Sequence, residues 1–381
     1  MQLSLRDWGQ TTAIAALEDP AYLTDQLITY IGNKRQLLSF IGHAVEFVSA
    51  RLGQKRLSVW DAFSGSGIVS RYLRRYSEKI IASDIEPYSE VISRCYLANR
   101  SQVNLQQLRA IHRGLVSKLS NKPLKQGIIS ELYAPADDID IKPGDRVFYT
   151  RRNARYLDTA RELIDQIDAS LRHFFLGPLL SQASVHVNTA GVFKGFYKNT
   201  RTGIGQFGGT NSDALLRILG EIELPFPIFS SFECDHEVVR ADANTLADSL
   251  SEVDLAYFDP PYNQHPYGSN YFMLNLLVSY EPPEGISKVS GIPANWNRSQ
   301  YNRRPLALKT LDDLVTRTKA RFILLSLNSE GFVPEAKALA LLERHGEVRT
   351  FETLYNAFRG SRNLRNRDIY VREHLYLLEK N

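Results

Sequence analysis

Apolar residues in this chain gather into short runs closed by turn residues, the pattern of buried strands rather than of long helices. Leu57-Ser58-Val59-Trp60 reads as one such strand, followed by Asp61-Ala62-Phe63-Ser64-Gly65-Ser66-Gly67 and a helical spacing through Ile68, Val69, Tyr72 and Leu73. A second strand, Lys79-Ile80-Ile81-Ala82-Ser83, ends at Asp84. Strand, glycine turn, helix, strand and acid begin a doubly wound α/β sheet. Further strands are predicted at Val253–Phe258 and at Arg321-Phe322-Ile323-Leu324-Leu325-Ser326. His374-Leu375-Tyr376-Leu377-Leu378-Glu379 alternates like a closing strand.

From about residue 100 to 235 the pattern changes. Helical periodicity covers residues 106–119 and 154–175. A glycine-rich, basic and aromatic segment follows at 191–209, without an acidic residue. Asn199 to Gly203 carries turn chemistry between two short aromatic arms, which predicts a β-hairpin. No internal repeat or low-complexity linker sets this stretch apart. An insertion into one α/β domain fits better than two tandem domains.

Composition narrows the picture little. The 381 residues suffice for one large domain or two ordinary ones, and 43% hydrophobic with 23% charged content is that of an ordinary globular protein. No apolar run approaches the roughly 18 residues of a membrane span, and the N-terminus lacks a signal-peptide apolar core. Cys95 and Cys234 are too few for a disulfide framework or a cysteine-rich metal site; both read as reduced, in a cytoplasmic protein without a membrane partner. A net charge of +4 tolerates nucleic acid without demanding it.

Candidate chemistry lies where strands end. Val253–Phe258 runs directly into Asp259-Pro260-Pro261-Tyr262. Consecutive prolines cannot extend a central strand, because each lacks an N–H donor and fixes φ. They stiffen the exit, and the Asp259 carboxylate beside the Pro260 carbonyl makes a two-acceptor fork for an exocyclic amine. Tyr262 offers a ring for stacking. The fork suits N6 of adenine or N4 of cytosine; a proline-rich strand exit with an incidental acid is the alternative. In the Phe63-Ser64-Gly65-Ser66-Gly67 turn, the glycines admit a ligand to backbone N–H groups at a helix start. Asp84 is placed for ribose hydroxyls and Asp61 for an ammonium, and a nucleoside carrying an amino acid is S-adenosylmethionine. A generic nucleotide-binding or purely structural unit fits the same residues. Asp242 is a candidate for the cofactor's adenine or, equally, a cap for the helix at Asn244. Tyr30-Ile31-Gly32-Asn33-Lys34 puts a cation at a helix start, where the dipole disfavours it. A bound carboxylate would remove that conflict, with Tyr30 packed on the cofactor; a basic surface turn is the alternative.

Taken in order, Tyr30-Ile31-Gly32-Asn33-Lys34, Phe63-Ser64-Gly65-Ser66-Gly67, Asp84-Ile85-Glu86 and Asp259-Pro260-Pro261-Tyr262 resemble the Dam-like class of site-specific DNA adenine-N6 methyltransferases. Val187-Asn188-Thr189-Ala190-Gly191, Gly195-Phe196-Tyr197-Lys198-Asn199 and Gln206-Phe207-Gly208 are similar to that family's recognition hairpin. Tyr262-Asn263-Gln264-His265-Pro266-Tyr267 and Tyr355-Asn356-Ala357-Phe358-Arg359 look like the modification enzymes of type IIS restriction systems. The resemblance covers most of the chain and implies an S-adenosylmethionine-dependent methyltransferase fold with an inserted helical and hairpin target-recognition region. It divides the chain into 22–100 (cofactor-binding part), 101–235 (target recognition) and 236–381 (catalytic part). It assigns cofactor contacts to Tyr30, Lys34, Asp84 and Asp259, to which the reading of the turns themselves adds Gly32, Asp61, Phe63, Gly65, Gly67 and Asp242 as candidates. The adenine pocket falls to Asp259, Pro260, Pro261 and Tyr262, and DNA reading to the hairpin near Phe196, Lys198 and Gln206.

Lys194, Lys198 and Arg201, with Arg359, Arg362, Arg365 and Arg367 near the C-terminus, are candidate phosphate contacts, a solvated basic face being the alternative. Gln206 stands where the family has proline and Lys198 where it has arginine, the residue that reads guanine bidentately. No recognition sequence therefore carries over. The expected partner is double-stranded DNA, with the target adenine flipped out of the stack. A monomer is expected, with a cognate restriction endonuclease acting independently, and no metal. Competing readings are a cytosine-N4 methyltransferase, whose motif more often begins with serine, and a catalytically silent DNA-binding homologue. The latter would carry a damaged tetrapeptide or glycine turn, and both are intact.

Overall fold

The structure is a computed structural model and describes residues 18–356 and 370–381. Leu57–Asp61 (β1), Ser77–Asp84 (β2), Asp235–Arg240 (β3), Val253–Phe258 (β4), Ala320–Asn328 (β5), Gly346–Asn356 (β6) and Tyr370–Lys380 (β7) form one sheet, in the order β3-β2-β1-β4-β5-β7-β6. The first five run parallel, and β7 is antiparallel to both β5 and β6. Parallel neighbours need crossover connections, and the crossing helices cover the sheet. That is why β4 and β5 read as apolar runs without alternation.

On one face Ile41, Val45 and Val48 of the helix Leu38–Leu52 meet Val59, Leu255 and Leu324. On the other, Leu311 and Leu314 of Arg304–Arg317 and Leu342 of Glu335–Leu342 meet Ile81, Ala256 and Ile323. Each such aliphatic side chain contributes roughly 1.5–3 kcal/mol when fully buried. Strand order reverses at β1, between β2 and β4. In open α/β sheets, ligands bind beyond the carboxyl ends of the strands at such a reversal.

Between the helix Pro87–Tyr96 and β3 the chain adds no strand to this sheet among the described residues. Helices Leu105–Asn121, Arg151–Asp165 and His173–Val185 pack there around Phe148, Leu157 and Leu179, sharing a core with Phe272 and Ile92. The continuous helical pattern expected over 154–175 is in fact two helices. Asp168 breaks it: its carboxylate accepts from the Ser170 N–H at 2.8 Å, and Arg172 donates to the carbonyls of Ile167 and Asp165. Such local bonds offer the backbone an alternative to the helical ladder.

The hairpin is smaller than expected. Its turn is present, with the Asn199 carboxamide accepting from Arg201 and Thr202 N–H groups, but its arms pair through one bridge, Lys198 to Gly205. Tertiary bonds replace the missing ladder: the buried Asn188 donates to the carbonyls of Val147 and Gln206 and accepts from the Gly208 N–H. Strands β3 and β6 were not foreseen. Both lie at sheet edges, where β3 alternates exposed and half-buried positions and carries Asp235, His236 and Glu237.

Candidate active site

Parallel register carries three acids to one edge of the sheet. Asp61 ends β1 opposite Ala82 of β2 and Tyr257 of β4, Asp84 ends β2, and Asp259 follows β4. A cleft of about 830 Å3, its open mouth included, lies at that edge. Tyr30, Gly32, Lys34, Phe63, Gly65, Asp84, Asp242, Asp259 and Pro261 all line it. Its size falls within the roughly 300–1,000 Å3 of small-molecule sites.

The glycine turn is shaped by close approach. Gly65 has φ +49°, and a Cβ there would lie 2.9 Å from the Tyr30 hydroxyl oxygen. Tyr30 is itself fixed by stacking on Tyr271 and Tyr267, with ring centroids at 4.6 and 5.0 Å. Asp84 braces the turn from below: one carboxylate oxygen accepts from the Gly65 N–H at 2.8 Å, the other from the Glu86 N–H at 2.9 Å. Burial raises the Asp84 pKa, and those backbone donors oppose the shift. Asp242 caps Ala243–Ala247, its carboxylate accepting from the Thr245 N–H, and it also lines the cleft.

Lys34 finds its counter-charge inside the protein. Its ammonium lies 3.0 Å from Asp259 Oδ1 and 3.0 Å from a carboxylate oxygen of Glu373 on β7. The side chain is 3% exposed. Burial works against its charge, but Asp259 and Glu373 together hold it well above the ordinary lysine range. The expected conflict with a helix dipole is therefore met by two protein carboxylates, and Lys34 opens a 3-10 turn, Lys34–Leu37, rather than an α-helix. Burial pushes Asp259 up to about 6, with Lys34 pulling the other way. Tyr262 lies beside this pair, its ring centroid 5.9 Å from the Lys34 ammonium. Pro260 is buried, and neither it nor Tyr262 is among the residues lining the cleft.

Asp61 is fully buried behind the turn and is not part of the cleft wall. Ser70 donates to one of its oxygens, while Oδ1 has no partner among the described residues. Burial pushes its pKa up to about 7, against the Ser70 hydrogen bond, with Asp259 and Asp84 raising it further. An unpaired buried carboxylate oxygen is costly unless something cationic meets it. Gly67, with φ +74°, starts the helix Ile68–Leu73 in a backbone region that side chains rarely adopt.

Several cleft residues escaped the sequence reading. Glu86, buried, accepts from the side-chain amides of Asn275 at 2.6 Å and Asn297 at 3.2 Å, and burial pushes it up to about 7. Asn297 and Ser299, from an irregular segment without periodicity to mark it, and Asn302, from the 3-10 turn Gln300–Asn302 that follows, also line the cleft. Glu373, behind the cleft wall, lies on a strand whose residues 371 and 373–378 are all buried, just before the stretch 374–379 that the sequence marks as a strand.

The candidate DNA contacts divide. Lys194 and Arg201 are exposed; Lys194 reaches to 3.2 Å of His265 Nδ1 on the segment after Tyr262. Lys198 lies over the Phe196 ring at 5.1 Å. Phe196 itself packs edge-on against buried Phe148, with ring centroids at 5.2 Å. The Gln206 side chain accepts from the Asn199 amide at 2.9 Å and so braces the hairpin turn. Arg359, Arg362 and Arg365, with Arg367, lie outside the described residues.

Residues 30–300 match the family described as D12 class N6 adenine-specific DNA methyltransferase. The type II methyltransferase M.NlaIII of Neisseria lactamica is 27% identical over 363 residues, covering 93% of this chain and 99% of that protein. The type II methyltransferase M.CviAII of Paramecium bursaria Chlorella virus 1 is 26% identical, covering 92% and 98%. The type II methyltransferase M.FokI of Planomicrobium okeanokoites is 23% identical, covering 92% of this chain but 52% of its own length.

Proposed function

Because the chain belongs to the D12 class of N6 adenine-specific DNA methyltransferases, we propose that its cleft binds S-adenosylmethionine and that Asp259 receives a flipped adenine of duplex DNA. One observation carries the reading: Asp259 and the Gly65–Asp84 turn open into the same cleft. The residues fit that cofactor. Asp84 and Glu86, which line the cleft, suit ribose hydroxyls, and Gly65 lies in the same wall with Tyr30 packed against it; Asp61, buried behind the turn, is not in that wall. S-adenosylmethionine supplies a sulfonium-activated methyl group, passed to N6 with the bonding pair left on sulfur and one N6 proton released.

Lys34 occupies Asp259 Oδ1, which leaves Oδ2 for an amino hydrogen of the base, with the Pro260 carbonyl as the second acceptor. Accepting both hydrogens localises on nitrogen the lone pair otherwise conjugated with the ring and directs it towards the methyl group. Tyr262 and the tyrosine stack at Tyr30 supply flat surfaces around it. The contribution of the chain is positioning plus electrostatics. Residues 101–235 form the target-recognition part, between a cofactor part at 22–100 and a catalytic part at 236–381. Lys194, Lys198 and Arg201 then contact phosphates. A cognate endonuclease acting on the same site, and action as a monomer, complete the reading.

The test expresses the wild type and Asp259→Ala in a host lacking adenine methylation and maps modified bases by single-molecule sequencing. N6-methyladenine at one short motif, lost in the variant, is expected. Marks on cytosine N4, or marks that persist in Asp259→Ala, would overturn the assignment.

A further inference from the structure

Glu373 is a buried carboxylate that the reaction described above does not use. It sits on β7, the antiparallel strand beside β5, and its side chain is completely inaccessible. One oxygen accepts from the Ser326 hydroxyl and lies 3.0 Å from the Lys34 ammonium; the other has no partner among the described residues. A half-satisfied, fully buried carboxylate is a net burden on folding unless its charge is wanted. The Glu373 side chain is wholly buried behind Lys34 and does not face the cleft. What it touches is the cation that touches Asp259.

The charge arithmetic around Lys34 matters. A lone Lys34–Asp259 pair would be neutral and would draw electron density off the carboxylate that must hold the amino group. With Glu373 the cluster holds two carboxylates and one ammonium. We propose that Glu373 is a positioning residue for methyl transfer, dividing the ammonium of Lys34 so that Asp259 faces the reacting nitrogen as part of a net-negative cluster. The inference rests on the reading of the site given above. That nitrogen gains positive charge as its bond to the methyl group forms. A fixed negative charge inside a water-poor site stabilises it more in the transition state than before it.

The other ionisable groups facing the cluster are Tyr257, Tyr262, Tyr267, Tyr355 and Asp61. The tyrosines stay neutral, each raised by burial first of all, so they do not rebalance the charge. Burial and Glu373 both raise Asp259 while Lys34 lowers it. Removing the Glu373 charge leaves Lys34 to Asp259 alone and lowers the Asp259 pKa.

The experiment measures single-turnover methyl transfer into duplex DNA between pH 5 and 8, for the wild type, Glu373→Gln and Glu373→Asp. Melting and S-adenosylmethionine titration check each protein. Glu373→Gln is expected to lower the plateau rate roughly tenfold and to move the acidic limb down by about one pH unit. Its affinity for S-adenosylmethionine should stay within about threefold. Glu373→Asp, which keeps the charge, should retain the wild-type limb. A limb unmoved in Glu373→Gln, or moved equally in both variants, overturns the proposal. If Glu373→Gln does not fold, Ser326→Ala takes its place. Without the hydroxyl donor, the carboxylate acts more strongly on Lys34 and the limb should rise by a few tenths of a pH unit; no movement overturns the proposal. Absence of transfer by the wild type would instead sink the reading of the whole site.

Discussion

The strand-end cleft and the hairpin at 191–209, to which the proposed function gives the two halves of one task, are built differently. In the cleft, Asp61, Asp84 and Asp259 are placed by parallel strand register, and their positions follow from hydrogen bonds made far from the reaction. In the hairpin a single bridge and the Asn188 carboxamide hold the backbone, and Phe196, Lys198 and Gln206, all candidates for DNA contact, make contacts within the protein. In the proposed reading, catalytic placement belongs to the sheet and target reading to loops, which vary without disturbing the sheet.

Asp259→Asn would break the cleft side most severely. It keeps the shape but removes the charge held by Lys34, and transfer should fall by about three orders of magnitude with the fold intact by circular dichroism. Gly65→Ala comes next. Its Cβ meets the Tyr30 ring in a strained backbone conformation, and S-adenosylmethionine affinity measured by calorimetry should fall about tenfold or more. On the hairpin side, Phe196→Ala should cost about 2 kcal/mol of stability in urea unfolding, because Phe196 packs on Phe148. Loss of DNA affinity without loss of stability would make it a base-stacking residue instead. Replacing Lys198 and Arg201 together by alanine should weaken DNA uniformly across sequences. The salt dependence should fall by about one unit of log–log slope for each lost phosphate contact. Smallest is Gln206→Ala, expected to cost less than about 1 kcal/mol, since it breaks one bond to Asn199. Relaxed target specificity in that variant would return Gln206 to base reading.

How far the sequence reaches depends on whether the signal is local. β4 falls at the bounds its composition indicates, and β1, β2 and β5 extend only a little beyond theirs. Buried parallel strands are runs of apolar residues whatever surrounds them. The break at Asp168 went unread because a short capping bond outweighs the helical spacing on both sides. β3 and β6 went unread because edge strands have fewer apolar positions to announce them.

The chain order of its motifs was enough to identify the enzyme class, since the Asp-Pro-Pro-Tyr exit, the glycine turn and the acid at Asp84 are local and each has its own chemistry. What pairs with those residues was decided only in three dimensions. Lys34 and Glu373 are separated by most of the chain, yet their charges meet at 3.0 Å because β7 inserts beside β5 and carries Glu373 under the first turn. Asn297 and Ser299 reach the cleft from a segment with no pattern at all. Periodicity and turn chemistry are written in neighbouring residues. The partner of a buried charge is fixed by sheet order, which no short stretch of sequence contains.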